Sequence, residues 1–341
     1  MGIGGKLRII ISFICCAVII ICCGYNYLFG NNTVIKNEKA EEENDIISSI
    51  IEIAFPQDDT AQKSADNTEN TTTTTQKGAV IGKVSEKFIS PYTAKTSYNN
   101  VYLKNSTDLS INIKSLLTAD LGYRIEKNSQ PQVLILHTHA TESFLDSDRD
   151  YYTDTDTPRT TDNTKNMISI GKIVADTLNE AGIKTLHDTT LHDYPSYNQS
   201  YPNAADTICN YLEKYPSIKI VIDLHRDAIS PAENEKVKLT TEIDGKKAAQ
   251  IMIVMGSQSG SVTNFPNWQE NLKLAVRLQQ TIEVMYPSLA RALSLMPRNY
   301  NESLTTGSML IEMGTDANSL QEVKYSAELL GNALKSLLNT L

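Results

Sequence analysis

Two histidines and a glutamate, His137, His139 and Glu142, follow four apolar residues in the stretch VLILHTHATESF (residues 133–144), in a chain with only five histidines. Neutral imidazole together with carboxylate is the donor set of a catalytic zinc site. A further histidine, His225, closes the apolar run IKIVIDL and is followed by Arg226 and Asp227. Asp223 or Asp227 could orient its ring by accepting a hydrogen bond. Glu312 stands inside another apolar run, SMLIEMG. A buried carboxylate is costly without a partner or a function, and desolvation raises its pKa toward that of a useful general base. Two imidazoles and a carboxylate leave one position on a zinc ion for water, whose pKa the metal lowers to about 7. The competing readings are a packing histidine at 137 or 139, a solvated loop acid at 142, a structural histidine at 225 and a buried ion pair at 312. The chain carries neither HExxH nor CxxC, so the case rests on residue types and their position.

That position is set by the elements around them. Residues 133–136 and 218–224 read as strands buried on both faces, and the polar residues fall at their carboxyl ends, where open α/β sheets bind ligands. Further strands are expected at 101–105, 183–186, 248–255 and 309–313. Helices are expected at 111–117, 167–181, 204–215 and 267–286, the last opened by Asn267 and Glu270 as a capping box. A closing helix opens with Ser319 and Glu322 in the same pattern. Strands alternating with helices argue for an α/β fold, a mostly parallel central sheet with helices on both faces. Residues 146–163 read as a long loop beside the site. The stretch DTTLHDYPSYNQSYP (188–202) reads as an aromatic loop lining a groove, with Tyr194, Tyr197 and Tyr201 as contact surface and His187 and His192 as alternative ligands.

Residues 9–29 carry no charge and would span about 31 Å as a helix, enough to cross a bilayer. Lys6 and Arg8 precede them and acids follow, which places the N-terminus in the cytoplasm. A cleaved signal peptide is the rival reading. Residues 31–100, with an acidic run and Thr71 to Thr75 uninterrupted, read as a largely disordered tether. Within it, IISSIIEIAF (46–55) could be an amphipathic helix or a membrane-proximal contact. The catalytic domain is expected over 101–341. Four of the five cysteines lie in the apolar segment, so an internal disulfide is not expected beyond it. A net charge of −9 argues against nucleic acid as a partner.

HTHATES, LHDYPSYN, DLHRDA and RNYNESLTTGSMLIEMG, taken together, resemble the stage II sporulation protein P family, the membrane-anchored peptidoglycan hydrolases of endospore-forming bacteria. The resemblance covers roughly residues 101–341. That domain is in turn similar to zinc-dependent N-acetylmuramoyl-L-alanine amidases. The resemblance implies Zn2+ as cofactor, His225 as the second histidine ligand and Glu312 as the catalytic glutamate. For the first histidine it favours His137, with His139 as the alternative. The amidases' ligand glutamate opens their first helix; here that region reads TDNTKNMISIG, with Asn166 or a neighbour in place of the acid, so either Glu142 supplies the carboxylate or the site uses different ligands. Asp223, Arg226 and Asp227 would support the ligands. His192, Tyr194, Tyr197, Asn198, Tyr201 and Asn301 would contact substrate. The implied reaction cleaves the amide between muramic acid and L-alanine, with an endopeptidase cut in the peptide crosslink in some relatives. The implied setting is forespore engulfment. There the protein is a single-pass protein of the mother-cell membrane facing the forespore wall, alongside the lytic transglycosylase stage II sporulation protein D and a membrane partner. A non-catalytic wall-binding scaffold and another metal-dependent hydrolase, such as a phosphoesterase, are the alternatives.

Overall fold

The computed structural model describes residues 78–341. The expected anchor, the 46–55 segment and most of the expected tether lie outside the described residues. Among the described residues no helix is long and apolar enough to cross a membrane.

The chain runs β1 (Val80–Lys87), β2 (Thr96–Tyr98), β3 (Val101–Asn105), α1 (Ile113–Thr118), β4 (Val133–Leu136) and β5 (Tyr151–Thr153). It continues through α2 (Met167–Glu180), β6 (Thr185–His187), α3 (Ser200–Lys214), β7 (Ile220–Asp227), β8 (Glu235–Ile243), β9 (Lys246–Ala249) and β10 (Ile251–Gly256). It closes with α4 (Trp268–Met285), β11 (Leu293–Met296), β12 (Ser308–Thr315) and α5 (Leu320–Leu338). The large sheet has the order β2-β3-β11-β10-β12-β7-β4-β6. Its pairs are parallel except β2 with β3 and β10 with β12. This is the mostly parallel α/β sheet expected. Strand β4 is apolar and buried throughout, and β7 is buried up to Arg226, apolar at Ile220 to Ile222 and Leu224, because both faces are covered. Val133 and Ile135 face the main core with Met167, Ile170 and Val174 of α2, and that core also takes in α4 and α5. Leu134 and Leu136 alternate to the other side and pack with Ala204 and Ile208 of α3.

Several boundaries differ from expectation. Among the described residues, two strands precede residue 101: β1 and β2 lie inside the expected tether. In β1 only Val84 is buried, which leaves little apolar signal to read. A second, four-stranded sheet, β5-β1-β8-β9, was not expected, and β5 lies in the expected 146–163 loop. The strand expected over 248–255 is broken at Gln250, whose buried side-chain amide bonds Ile89 N (2.8 Å), Ile89 O (3.1 Å) and Ser288 O (3.1 Å). The break sends β9 to the small sheet and β10 to the large one. α3 begins at Ser200, because Pro202 in a first turn forfeits no helical hydrogen bond. Asn267 does not form a capping box; its amide donates instead to the Ser303 and Thr305 carbonyls. Ser319 and Glu322 do form one, with bonds of 2.8 and 3.2 Å.

Candidate active site

Three neighbouring strands deliver the candidate residues to one edge. β4 is parallel to β7 with Leu136 opposite Asp223, and β7 is parallel to β12 with His225 opposite Glu312. Parallel register partners share a sheet face, so His225 and Glu312 stand side by side. β4 ends at Leu136, and residues 138–141 turn back over the sheet edge, closed by a bond from Glu142 N to His139 O (3.2 Å).

That turn separates the two histidines. His137 continues the Ile135 face beneath α2. Its Nδ1 lies 3.0 Å from the Leu224 carbonyl, so Nδ1 carries the proton, and Nε2 must accept from His187 Nε2 at 2.9 Å. Gly171 of α2 makes room for the pair: a Cβ there would stand 2.5 Å from His137 Nε2 and 2.6 Å from His187 Nε2. Burial, then the neighbouring His187, pushes the His137 pKa down to about 3. Both ring nitrogens of the favoured ligand are thus committed away from the site.

His139 is placed differently. Its ring meets His225 edge-on with centres 5.2 Å apart, and Tyr197 stacks on it at 4.6 Å. Its Nδ1 is buried with no hydrogen-bond partner. Burial, then the charge on His225, lowers its pKa to about 3, so it is neutral across the working range of pH. His225 Nε2 lies 2.9 Å from Asp223 Oδ1. Thr138 fixes that carboxylate through its N–H (2.8 Å) and hydroxyl (2.6 Å). Burial would lower the His225 pKa, but the Asp223 carboxylate outweighs it and raises it to about 9.

Glu142 accepts from Arg226 N (3.1 Å) and faces Arg159 Nη2 at 3.6 Å. Its carbonyl receives the N–H of Met167, the first residue of α2 (3.0 Å). Asn166 spends its side chain on capping that helix, accepting from Ile168 N (3.1 Å). Glu142 therefore sits at the opening of α2, beside its capping residue Asn166. Arg226 is a brace: its guanidinium donates to Ser143 O (2.8 Å) and Pro158 O (2.7 Å). Asp227 pairs with Arg291 at 2.9 Å. Glu312 has an Oε2 that is sealed from solvent and without a hydrogen-bond partner. Burial, then the Asp227 charge, raises its pKa to about 8.

Of the expected substrate contacts, His192 is buried with Nδ1 2.8 Å from His137 O and Nε2 3.0 Å from Thr207 Oγ1. It shapes the loop rather than facing a groove. Tyr194 and Tyr197 are exposed, as is Asn198. Tyr201 is half-buried and stacks on His225 with centres 6.5 Å apart. Asn301 donates to the Tyr201 carbonyl (2.9 Å). Arg159 had no distinguishing signal in its polar loop. It lies over the Tyr197 ring at 4.5 Å and pairs with the buried Asp193 at 2.7 Å.

Among the described residues no three His, Cys, Asp or Glu side chains are gathered in a ready-made metal cluster. The donor chemistry nevertheless suits zinc. His139 offers an unpartnered buried nitrogen, and two imidazoles on one tetrahedral zinc, each bound at about 2 Å, would have ring centres about 5 Å apart.

The family model for Stage II sporulation protein P (SpoIIP) matches residues 24–335. The chain belongs to this family. Stage II sporulation protein P of Bacillus subtilis (strain 168) is 28% identical over 206 residues, covering 57% of this chain and 48% of that protein. The chain thus spans about half the length of that relative. Solved structures with similarity include an N-acetylmuramoyl-L-alanine amidase of Nostoc punctiforme (12% identity, TM-score 0.37, covering 62% of this chain and 98% of that one). Another is the CwlD amidase of Clostridioides difficile in complex with the GerS lipoprotein (11% identity, TM-score 0.38, covering 62% of this chain and 100% of that one).

Proposed function

We propose that this protein is a zinc-dependent amide hydrolase acting on peptidoglycan during sporulation, cleaving the bond between muramic acid and L-alanine. The observation that carries the reading is the meeting of His139, His225 and a half-buried Glu312, whose Oε2 is sealed from solvent and unpartnered, at one sheet edge, in a chain of this family. His139 and His225 would hold the metal, with Glu142 supplying the carboxylate. His139 replaces His137 here because it has a nitrogen to give. Zn2+ bound there supplies Lewis acidity toward the scissile carbonyl and the attacking water. The rest is done by the chain. Asp223 orients the His225 ring. Glu312 would take the proton from water and pass it to the leaving amine, the acid–base work open to a carboxylate beside the reacting groups. Tyr197 and Tyr201 wall the site. An additional cut in the peptide crosslink belongs to the same proposal. So do a single-pass anchor at residues 9–29 with a cytoplasmic N-terminus, residence in the mother-cell membrane facing the forespore wall, and work beside stage II sporulation protein D and a membrane partner.

The test uses full-length protein in detergent, incubated with purified peptidoglycan, with zinc quantified and products identified by mass spectrometry. Wild type should release peptide at the muramic acid–L-alanine bond and hold about one zinc. Glu312→Gln should keep the zinc and lose roughly 10²- to 10⁴-fold in rate. Equal activity in the variant overturns the assignment of Glu312. Wall binding without cleavage by either protein favours a scaffold.

A further inference from the structure

Residues 297–302, between β11 and β12, are held in a conformation that side chains resist. Tyr300 and Asn301 have successive φ values of +52° and +59°. For a bulky residue such as tyrosine the left-handed region is a genuine outlier. Strain of this kind persists only where the surroundings over-determine it, and it gathers at functional sites.

The surroundings here are specific. Buried Glu302 accepts the Gly256 N–H through Oε2 at 2.8 Å. Arg298 O accepts from Ser257 N at 3.0 Å. The loop lies so close to β10 that a Cβ at Gly256 would stand 2.3 Å from Arg298 O, so only glycine fits. Asn301 ties the loop to the Tyr201 backbone at 2.9 Å. The strained residue between these ties presents its ring to the site. The Tyr300 ring centre lies 6.5 Å from that of Tyr201, which lies 6.5 Å from His225. Burial, then the charges of Glu302 and Glu312, pushes the Tyr300 hydroxyl above its ordinary range. It keeps its proton and remains a donor. Glu312, Glu142 and Asp223 as carboxylates can only accept, whereas an amide carbonyl under attack needs donors as charge develops on its oxygen.

We propose that Tyr300 is a substrate-contacting residue of this site, its hydroxyl donating a hydrogen bond to the carbonyl oxygen of the amide presented to Glu312. The inference rests on the amidase reading above. The strain at Tyr300 is what aims the donor, and the Glu302–Gly256 tie is what maintains the strain.

The experiment compares full-length wild type, Tyr300→Phe and Tyr300→Gly for kcat, KM, zinc content and Tm on the same peptidoglycan substrate. Tyr300→Phe keeps the ring and removes the donor. It should lower kcat about 10²-fold, the effect of deleting one such donor, with zinc content and Tm unchanged. Tyr300→Gly removes the donor together with the ring and should be at least as slow. Wild-type kcat in Tyr300→Phe overturns the proposal whatever its KM, and so does a rate loss accompanied by loss of zinc. A wild type that releases no amide-cleavage product defeats the amidase reading itself, and that failure shows before any variant is compared.

Discussion

Replacing His139 with alanine removes a buried imidazole whose Nδ1 has no other partner, whereas replacing His137 removes one whose nitrogens bond Leu224 O and His187. The two variants should therefore fail differently. His139→Ala should lose zinc and turnover with little change in Tm. His137→Ala should keep zinc and turnover but lose about 1–3 kcal/mol of stability, because it leaves buried polar groups unpaired. Metal analysis and thermal melts on both variants decide the matter, and zinc loss in His137→Ala would return that residue to the ligand set. The residue types of this site were legible in the sequence: His225 and Glu312 end up adjacent because each sits on a run of apolar residues that had to become a buried strand. The choice between His137 and His139 was not legible. It depends on where β4 stops and on a glycine one helix away, and neither leaves a mark on the histidines themselves.

At the scale of elements, α2 is placed by what it lacks. Gly171 lies on the buried face of the helix, directly over the His137–His187 pair, and a methyl group there would overlap both rings. Gly171→Ala gains helix propensity of up to about 1 kcal/mol but must push the helix off β4, and overpacking of this kind costs about 1–3 kcal/mol. The expected result is a net fall in Tm, with altered His137 and His187 ring resonances by NMR. A rise in Tm would mean the helix can shift without cost. The same helix shows why some elements could be read and others not. α2, α5, β4, β7 and β12 each carry a continuous or periodic apolar face that the core demands. β1, β5 and β8 build a small sheet in which much of each strand is polar or exposed. β11 is four residues long. Their pairing is decided by partners distant in the chain, such as β1 against β8, and no local pattern announces it.

For the whole molecule, that small sheet is joined to the rest by apolar packing, with Ile243, Ala248 and Ala249 in the main core, and by charge. Buried Lys238 pairs with Glu86, Asp148 and Glu322, the last being the capping residue of α5. The loop of residues 146–163, which carries Arg159 to the site, is folded around Asp156. Burial would raise the Asp156 pKa, but bonds from Thr153 Oγ1 and N, both 2.7 Å, together with Arg149, hold it below the ordinary value. A carboxyl depressed in the folded state adds stability above its unfolded pKa of about 3.9, and that stability is lost as pH falls through the folded value. Asp156→Asn should therefore be less stable than wild type at pH 7 by about 1–3 kcal/mol, the worth of hydrogen bonds to a charged group. The gap should close on acidification below about pH 4, because wild type then loses the same charge. Urea melts of both proteins from pH 7 to pH 3 measure it. A gap that stays constant would assign the residue a purely steric role, and one that widens in acid would contradict the sign.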